Sequence, residues 1–485
     1  MRYLAKDIVI LGAGPGGYVA AIRAAQLGAN VHLIEDREVG GTCLNRGCIP
    51  TKTYFKNAEL FGEITNSEKF GITVENPKID GKVLQENKNK IVNQLVRGIE
   101  TLISSYENIE FYDGRALLID DRNVEVKLKD GEIKEIKADN IIIATGSRPT
   151  MTETEGIDLE GVITSDDLLE MEEIPETLIV VGAGVIGVEF ASIYNGLGSN
   201  VILLASRMLK NADMEIRRRI TPLLKKRGVD VYMNIRAKEI VKDGDKLRVT
   251  AKYKNKDKEI DVIGDKVLIA SGRGPVVEGL NLDEVGIKHS YKGIEVNEHF
   301  ETNIDGIYAI GDVNDVGIQL AHVASAQGVY AVEKIMGLEP TINLDIYPNC
   351  VFSFPEVAHV GLTEEEVKEK GIECKVSKFM FAANGKALTL GEADGLVKVI
   401  ASNEDNKVLG VHIIGPHAND LIHEGALAIS NGLTIEHIAN TIHAHPTLSE
   451  AFYEAVLGLE GQAIHIAPPR KRKTRKRKKR KKKIK

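Results

Sequence analysis

The sequence predicts an α/β fold with two Rossmann-like, nucleotide-binding domains and a C-terminal domain of mixed α+β character. Three observations predict it. A strand, glycine loop, helix and second strand occur twice, about 170 residues apart. The intervening chain reads as one long helix and a short core strand, and from Tyr347 onward strands and helices alternate without that pattern. At 485 residues there is room for roughly three domains of about 150 residues each. With 43% hydrophobic and 27% charged residues the composition is globular, which excludes wholesale disorder and collagen. No run approaches the ~18–20 apolar residues of a spanning helix, which excludes a membrane bundle.

The elements follow in order. Asp7–Leu11 is a short apolar run ending in a glycine loop and reads as a buried strand. The alanine-rich stretch Gly14–Leu27 reads as a helix and Asn30–Glu35 as the next strand. Asp80–Ser104 has helical spacing, and Asn140–Thr145 reads as a core strand. Thr177–Val181, Val185–Leu197 and Asn200–Ala205 repeat the opening unit. Ile307–Asp312 is an apolar strand ending in Gly-Asp, and a helix lies around Leu448–Leu457. Pro468 and Pro469 close the folded part.

Charge divides the chain. From Arg470 to Lys485 there are 14 Lys or Arg and no acid, while the rest holds 49 basic and 70 acidic side chains. A body of −21 therefore carries a tail of +14. Such a tail reads either as a solvated, disordered extension or as a sequence-blind binder of nucleic acid, since it has no aromatic residue to stack on bases. The glycine loop begins at Gly12, directly after the first apolar run, which leaves no room for a signal peptide. Four cysteines do not make a secreted disulfide framework, so the expected compartment is a reducing cytoplasm.

The first glycine loop is Gly12-Ala13-Gly14-Pro15-Gly16-Gly17, with Glu35 closing the following strand. The glycines let backbone approach a pyrophosphate at the helix N-terminus, and an acid about 20 residues on accepts hydrogen bonds from a ribose. The second loop is Gly182-Ala183-Gly184-Val185-Ile186-Gly187, but its strand ends in Ala205 instead of an acid. A carboxylate there holds the ribose of NAD and repels the 2′-phosphate of NADP. Its loss, with Arg207 and Lys210 just beyond, slightly favours NADP over NAD; the other reading makes both cations plain solvated loop charges.

Cys43 and Cys48 sit in Gly40-Gly41-Thr42-Cys43-Leu44-Asn45-Arg46-Gly47-Cys48-Ile49-Pro50-Thr51-Lys52. Residues five apart in an ideal helix have Cα atoms roughly 8–9 Å apart, whereas a disulfide needs about 4.4–6.8 Å. A bond between them requires a bent or wound-up helix, and Gly47 and Pro50 permit one. No second Cys or His pair has zinc-ligand spacing, so no metal site is expected. Near the C-terminus, His443-Ala444-His445-Pro446-Thr447-Leu448-Ser449-Glu450 places His445 and Glu450 around a helix start, where a carboxylate can fix an imidazole tautomer and raise its basicity.

These segments, from about Asp7 to Ile464, resemble the flavin disulfide reductases. The resemblance implies FAD at the first loop and NAD or NADP at the second. It makes Cys43 and Cys48 a redox-active disulfide, with Cys48 the charge-transfer thiol against the flavin and Cys43 the interchange thiol. Lys52 would lie near the flavin and pair with Glu189. Asp312 would hold the ribityl chain, Ala321 would approach the ring by its backbone, and Gly114 and Ala116 would contact adenine. Ala144, Thr145 and Gly146 resemble the crossing between the two nucleotide domains, and Gly272 would belong to the nucleotide site. His445, paired with Glu450, would be the base, contributed across a homodimer, with His443 supporting it. Cys350 and Cys374 fit no redox spacing.

The same resemblance divides the chain into 1–149 and 278–346 for FAD, 150–277 for NAD(P), 347–467 for dimerisation and 468–485 as the tail. HAHPTLSEA and NCVFSFPEVAHVGLTEEE are most similar to members that reoxidise lipoyl groups on carrier proteins of 2-oxo acid dehydrogenase or glycine cleavage systems. NADPH-dependent members that reduce glutathione disulfide share CxxxxC and HPT and are the rival.

Overall fold

The computed structural model describes residues 6–151 and 153–467. The basic run, and with it the expectation of a disordered or nucleic-acid-binding tail, lies outside the described residues.

The first nucleotide unit is a seven-stranded sheet in the spatial order Ile307–Ala309, Asn140–Ile143, Asp7–Leu11, Asn30–Glu35, Ile109–Leu118, Asn123–Leu128 and Ile133–Lys137. The first five strands run parallel, with Ile10 paired to both Leu33 and Ile142. The last two add an antiparallel meander. Strands covered on both faces need no polar alternation, and Ile8, Val9, Ile10, Ile141, Ile142 and Ile143 are all fully buried. The helix Pro15–Gln26 lays Ala20, Ala21 and Ala24 into that core. Beside it runs Ala321–Ile335, and the two approach closely because Gly328 faces Gly16: a Cβ there would stand 2.7 Å from the Gly16 oxygen.

The second unit places Asp230–Met233, Asn200–Ala205, Thr177–Val181, Lys266–Ile269 and Val162–Ile163 in one parallel sheet. An antiparallel meander, Ile235–Asp243, Lys246–Tyr253 and Glu259–Gly264, packs onto it. The chain enters and leaves this unit through a two-stranded ribbon, Ser147–Pro149 against Arg273–Pro275. Thr145 donates its hydroxyl to Val276 O at 2.7 Å, tying the two crossings together beside Gly146.

The C-terminal unit is an antiparallel sheet in the order Asn349–Val351, Glu356–Gly361, Val408–Gly415, Leu396–Ser402 and Cys374–Met380. Helices Ala418–Ser430 and Ser449–Gly458 cover it over a core of Val397, Val399, Val411 and Ile413. Predicted and observed elements differ mostly at their ends: the first helix starts at Pro15 with Gly14 as its cap, and the strand from Asn140 stops at Ile143. Among the described residues no helix is long and apolar enough to cross a membrane.

Candidate active site

The first glycine loop closes on itself. A Cβ on Gly17 would sit 1.8 Å from the Gly12 oxygen, and one on Gly12, whose φ is +104°, 2.5 Å from Ala144 O. The helix that follows has no side-chain cap, so its first N–H groups face the space the loop encloses. Glu35, buried at the strand end, accepts from Ala13 N at 2.7 Å and from Arg37 N at 2.9 Å. Burial pushes its carboxyl above the ordinary range and outweighs those two N–H donors. The cysteine segment begins against this cradle: a Cβ on Gly41 would lie 2.7 Å from the Gly14 Cα.

The expected bent helix is two helices, Gly41–Arg46 and Cys48–Thr65, separated by Gly47 at φ −141°, ψ −111°. A side chain on Gly47 would meet Thr42 O at 2.8 Å, so the turn that brings the cysteines together has room for glycine only. Asn45 Nδ2 holds the segment by donating to Val39 O and Gly41 O, both at 3.0 Å. Cys43 and Cys48 are free thiols in this structure, close enough for each to shift the ionisation of the other. The neighbouring Cys43 thiol lowers Cys48 below the ordinary thiol range, and Lys52 adds to the effect against the opposing pull of burial. Cys43 is raised, first by Cys48 and then by burial.

Lys52 stands one turn further along the same helix. Its ammonium donates to both Glu189 oxygens at 3.1 Å. Glu189 is the one charged residue in the helix Val185–Gly196 and is 4% exposed. A carboxylate in such a place needs a cation and hydrogen bonds, and besides Lys52 it accepts from Phe352 N at 2.9 Å.

Asp312 lies in the short helical turn Gly311–Val313 and accepts from the Ser147 hydroxyl at 2.6 Å. Burial raises its carboxyl, opposed by that hydroxyl and by Arg273. Arg273 in turn donates to Ser147 Oγ at 2.9 Å and Ser147 O at 2.7 Å. Ser147 and Arg273 carry no local signal in the sequence; they meet because the crossing ribbon pairs two segments far apart in the chain. Ala321 opens the helix Ala321–Ile335. Gly114 and Ala116 lie in the ladder of Ile109–Leu118, paired with Leu128 and Val126, and Gly114 faces Lys127 O so closely that a Cβ would come to 2.5 Å.

The second loop repeats the first: a Cβ on Gly187 would stand 2.0 Å from Gly182 O, and one on Gly182 2.4 Å from Ala270 O. At the end of its strand Ala205 is fully buried and Arg207 is exposed. The next residue, Ser206, receives a hydrogen bond from Lys254 Nζ. Desolvation, then the like charges of Arg236 and Arg207, push Lys254 below its ordinary range. None of Arg207, Arg236 or Lys254 is paired with a carboxylate among the described residues. Lys210 is exposed, and Gly272, at φ +143°, faces open space. Arg236 and Lys254 were invisible in sequence because the antiparallel meander delivers them.

His445 Nδ1 lies 2.9 Å from Glu450 Oε1, whose other oxygen accepts from Thr447 N at 2.9 Å. Burial opposes ionisation of Glu450, but Thr447 N–H and His445 together outweigh it and lower the carboxyl. The His445 side chain is 79% exposed, with no hydrogen bond to the cysteine segment among the described residues. His443 is anchored instead, between Thr441 O at 2.9 Å and Glu424 Oε1 at 2.7 Å, with its ring 4.6 Å from that of Tyr453. Burial raises both remaining thiols, Cys350 to about 12, where a neighbouring carboxylate at Glu356 adds to it.

Residues 6–328 match the family described as pyridine nucleotide-disulphide oxidoreductase, and 347–456 match its dimerisation domain. The mitochondrial dihydrolipoyl dehydrogenase of Pisum sativum is 41% identical over 466 residues, covering 95% of this chain and 93% of that protein. A dihydrolipoyl dehydrogenase of Bacillus subtilis is 40% identical over 473 residues, covering 95% and 99%. Among solved structures, LpdA of Mycobacterium tuberculosis superposes with a TM-score of 0.86 at 28% identity over 94% of this chain and all of its own. The HOCl-induced flavoprotein disulfide reductase RclA of Escherichia coli gives 0.82 at 29%, over 93% and 99%. Two glycine cradles, a cysteine pair seated against the first and a dimerisation domain behind them agree with these matches: the chain belongs to the pyridine nucleotide-disulphide oxidoreductases.

Proposed function

We propose that the chain oxidises dihydrolipoyl groups on carrier proteins of a 2-oxo acid dehydrogenase or glycine cleavage system and delivers the electrons, by way of FAD, to NADP. The observation that carries this reading is the Cys43–Cys48 pair, set on either side of the helix break at Gly47, with the Lys52–Glu189 ion pair one turn on and the first glycine cradle packed against it. The dihydrolipoyl dehydrogenases to which the chain is similar supply the substrate class.

The residues fit a flavin dinucleotide. The side-chain-free loop Gly12–Gly17 and the uncapped helix behind it suit a pyrophosphate, with Gly14 and Gly16 along its path. Glu35 would hold ribose, Asp312 the ribityl chain, and Gly114, Ala116 and Ala321 would approach by their backbones. When bound, the flavin supplies a two-electron acceptor that can pass hydride to nicotinamide.

The chain's own chemistry is thiol–disulfide exchange. His445, oriented by Glu450, takes the proton from one substrate thiol, and the resulting thiolate attacks Cys43 in the oxidised pair. A bond forms between substrate sulfur and Cys43, and the Cys43–Cys48 bond breaks with its electron pair left on Cys48. The second substrate thiol, giving up its proton, then displaces Cys43. Cyclic disulfide leaves, and the protein holds two more electrons and two more protons than before. Lys52 balances the Cys48 charge, and Glu189 holds Lys52.

An exposed His445 has to meet a cysteine pair in another part of the fold. The dimerisation domain leaves Ile442 97% and Leu427 62% exposed, which suits burial in a homodimer in which each subunit lends His445 to the other. For the nicotinamide, Ala205 removes the carboxylate that would repel a 2′-phosphate, and Arg207, Arg236 and Lys254 surround Ser206 with positive charge. The same cluster favours the rival reading of an NADPH-dependent glutathione reductase. Oxidation of dihydrolipoamide with NADP and NAD, set beside reduction of glutathione disulfide with NADPH and NADH, separates them. Dihydrolipoamide with NADP is expected to lead; faster reduction of glutathione disulfide, or a purified protein that is colourless and takes up no flavin, would overturn the proposal. His445→Gln is expected to keep its flavin and lose about 10²-fold or more in lipoamide turnover.

A further inference from the structure

Phe352 belongs to the C-terminal domain, one residue past the strand Asn349–Val351, yet it stands at the redox centre. Its ring centroid is 4.3 Å from Lys52 Nζ, and its backbone N–H donates to Glu189 Oε1 at 2.9 Å. Two residues on, Phe354 N donates to the Ser192 hydroxyl at 2.7 Å on the same helix as Glu189. Phe55, from the helix that carries Cys48 and Lys52, lies between the two rings. It is edge-on to Phe352 at 5.7 Å and stacked on Phe354 at 4.5 Å. Helices from both nucleotide domains and a segment of the dimerisation domain therefore converge on one lysine.

We propose that Phe352 is a positioning residue whose ring, with the Glu189 carboxylate, clamps the Lys52 ammonium where it steadies negative charge on Cys48. The inference rests on the role assigned above to Cys48. A lysine held by one carboxylate alone keeps a flexible four-carbon stem and three solvated donors. An aromatic face removes part of that water and attracts the cation electrostatically, so the ammonium stays put instead of sampling solvent. Lys52 is 30% exposed at its side chain, so the ring has water to exclude. Because the bond to Glu189 comes from the Phe352 backbone, a side-chain substitution removes the ring and leaves that bond.

The test reads the Cys48 thiolate. The groups facing it are Cys43, Lys52, Glu189 from the helix Val185–Gly196, and Arg273 from the crossing ribbon. In reduced, full-length holoprotein, the pH midpoint of the long-wavelength thiolate–flavin absorbance is followed for Phe352→Leu, Phe352→Met and Phe352→Tyr. In parallel, iodoacetamide labelling of Cys48 is quantified by peptide mass spectrometry. Removing the ring is expected to raise the midpoint by about half a pH unit, and to slow labelling below the midpoint about threefold. Phe352→Met fills more of the space without a π face and carries the same expectation, while Phe352→Tyr should follow the parent. Phe55→Leu loosens the aromatic junction but leaves the Phe352 ring over Lys52, and should not shift the midpoint. Superimposed parent and Leu profiles, or an equal shift in Phe55→Leu, would overturn the clamp. A parent protein that labels normally but has no flavin absorbance sinks the functional reading instead, and the labelling arm still measures the clamp.

Discussion

In the first nucleotide unit a Cβ on the loop's last glycine would stand 1.8 Å from a carbonyl oxygen; in the second it would stand 2.0 Å from the equivalent one. Both loops feed helices without side-chain caps, and both strands that follow are six residues long. The two units part at the last residue of those strands. Glu35 folds back onto Ala13 N and Arg37 N, while Ala205 leaves the same corner to Ser206, Arg207 and Lys254. The lesson is a division of labour. Backbone geometry that tolerates no side chain is the same in both units, whereas the strand ends differ in charge, and the proposed reading assigns the choice of ribose substituent to that difference.

The largest effect should come from breaking the shared part. In Gly17→Ala the new methyl cannot fit 1.8 Å from its own loop's carbonyl without opening the cradle, and the protein should purify without flavin. Gly187→Ala makes the same clash in the second loop at 2.0 Å and should purify yellow, with nicotinamide-dependent turnover down about 10²-fold. Absorbance spectra and turnover of the two variants compare the cradles directly. If both lose flavin, the two loops are not independent sites.

Changing the strand ends should have smaller and opposite effects. Ala205→Glu places a carboxylate where a 2′-phosphate would lie and is expected to raise the KM for NADP at least tenfold while lowering that for NAD. Lys254→Ala should raise the KM for NADP about threefold to tenfold and leave NAD unchanged. An equal change for both nucleotides would show that Lys254 acts on the fold and not on the phosphate.

How far the sequence could be read follows the same division. The central strands Asp7–Leu11 and Thr177–Val181 and both glycine loops were legible because short apolar runs and obligatory glycines are local signals. The cysteine segment was legible in its residues but not in its shape: Gly47 suggested a bend, and the structure has a full break between two helices. Lys52 and Glu189, 137 residues apart, were paired only through the family resemblance, and the structure joins them at 3.1 Å. Arg236, Lys254, Ser147, Arg273 and Phe352 left no local mark, because each reaches its neighbours through long-range packing of a meander, a ribbon or a different domain. Such contacts have no period along the chain.

The smallest effect tests the strand-end acid without any nucleotide. Burial raises the Glu35 carboxyl above its ordinary value of 4.5, despite the Ala13 and Arg37 N–H groups. An acid whose folded-state value lies above its unfolded one favours folding while protonated. Its contribution is fully present at low pH and is lost as pH rises from the unfolded value through the folded one. Ala205, its counterpart, has nothing to titrate. In flavin-free protein, the difference in melting temperature between parent and Glu35→Gln should therefore move against the parent as pH climbs out of the carboxyl range. Ala205→Gln provides the flat reference from the second unit. A difference that moves toward the parent would mean that the two backbone N–H groups outweigh burial, and that Glu35 is held ready as a carboxylate before any ribose arrives.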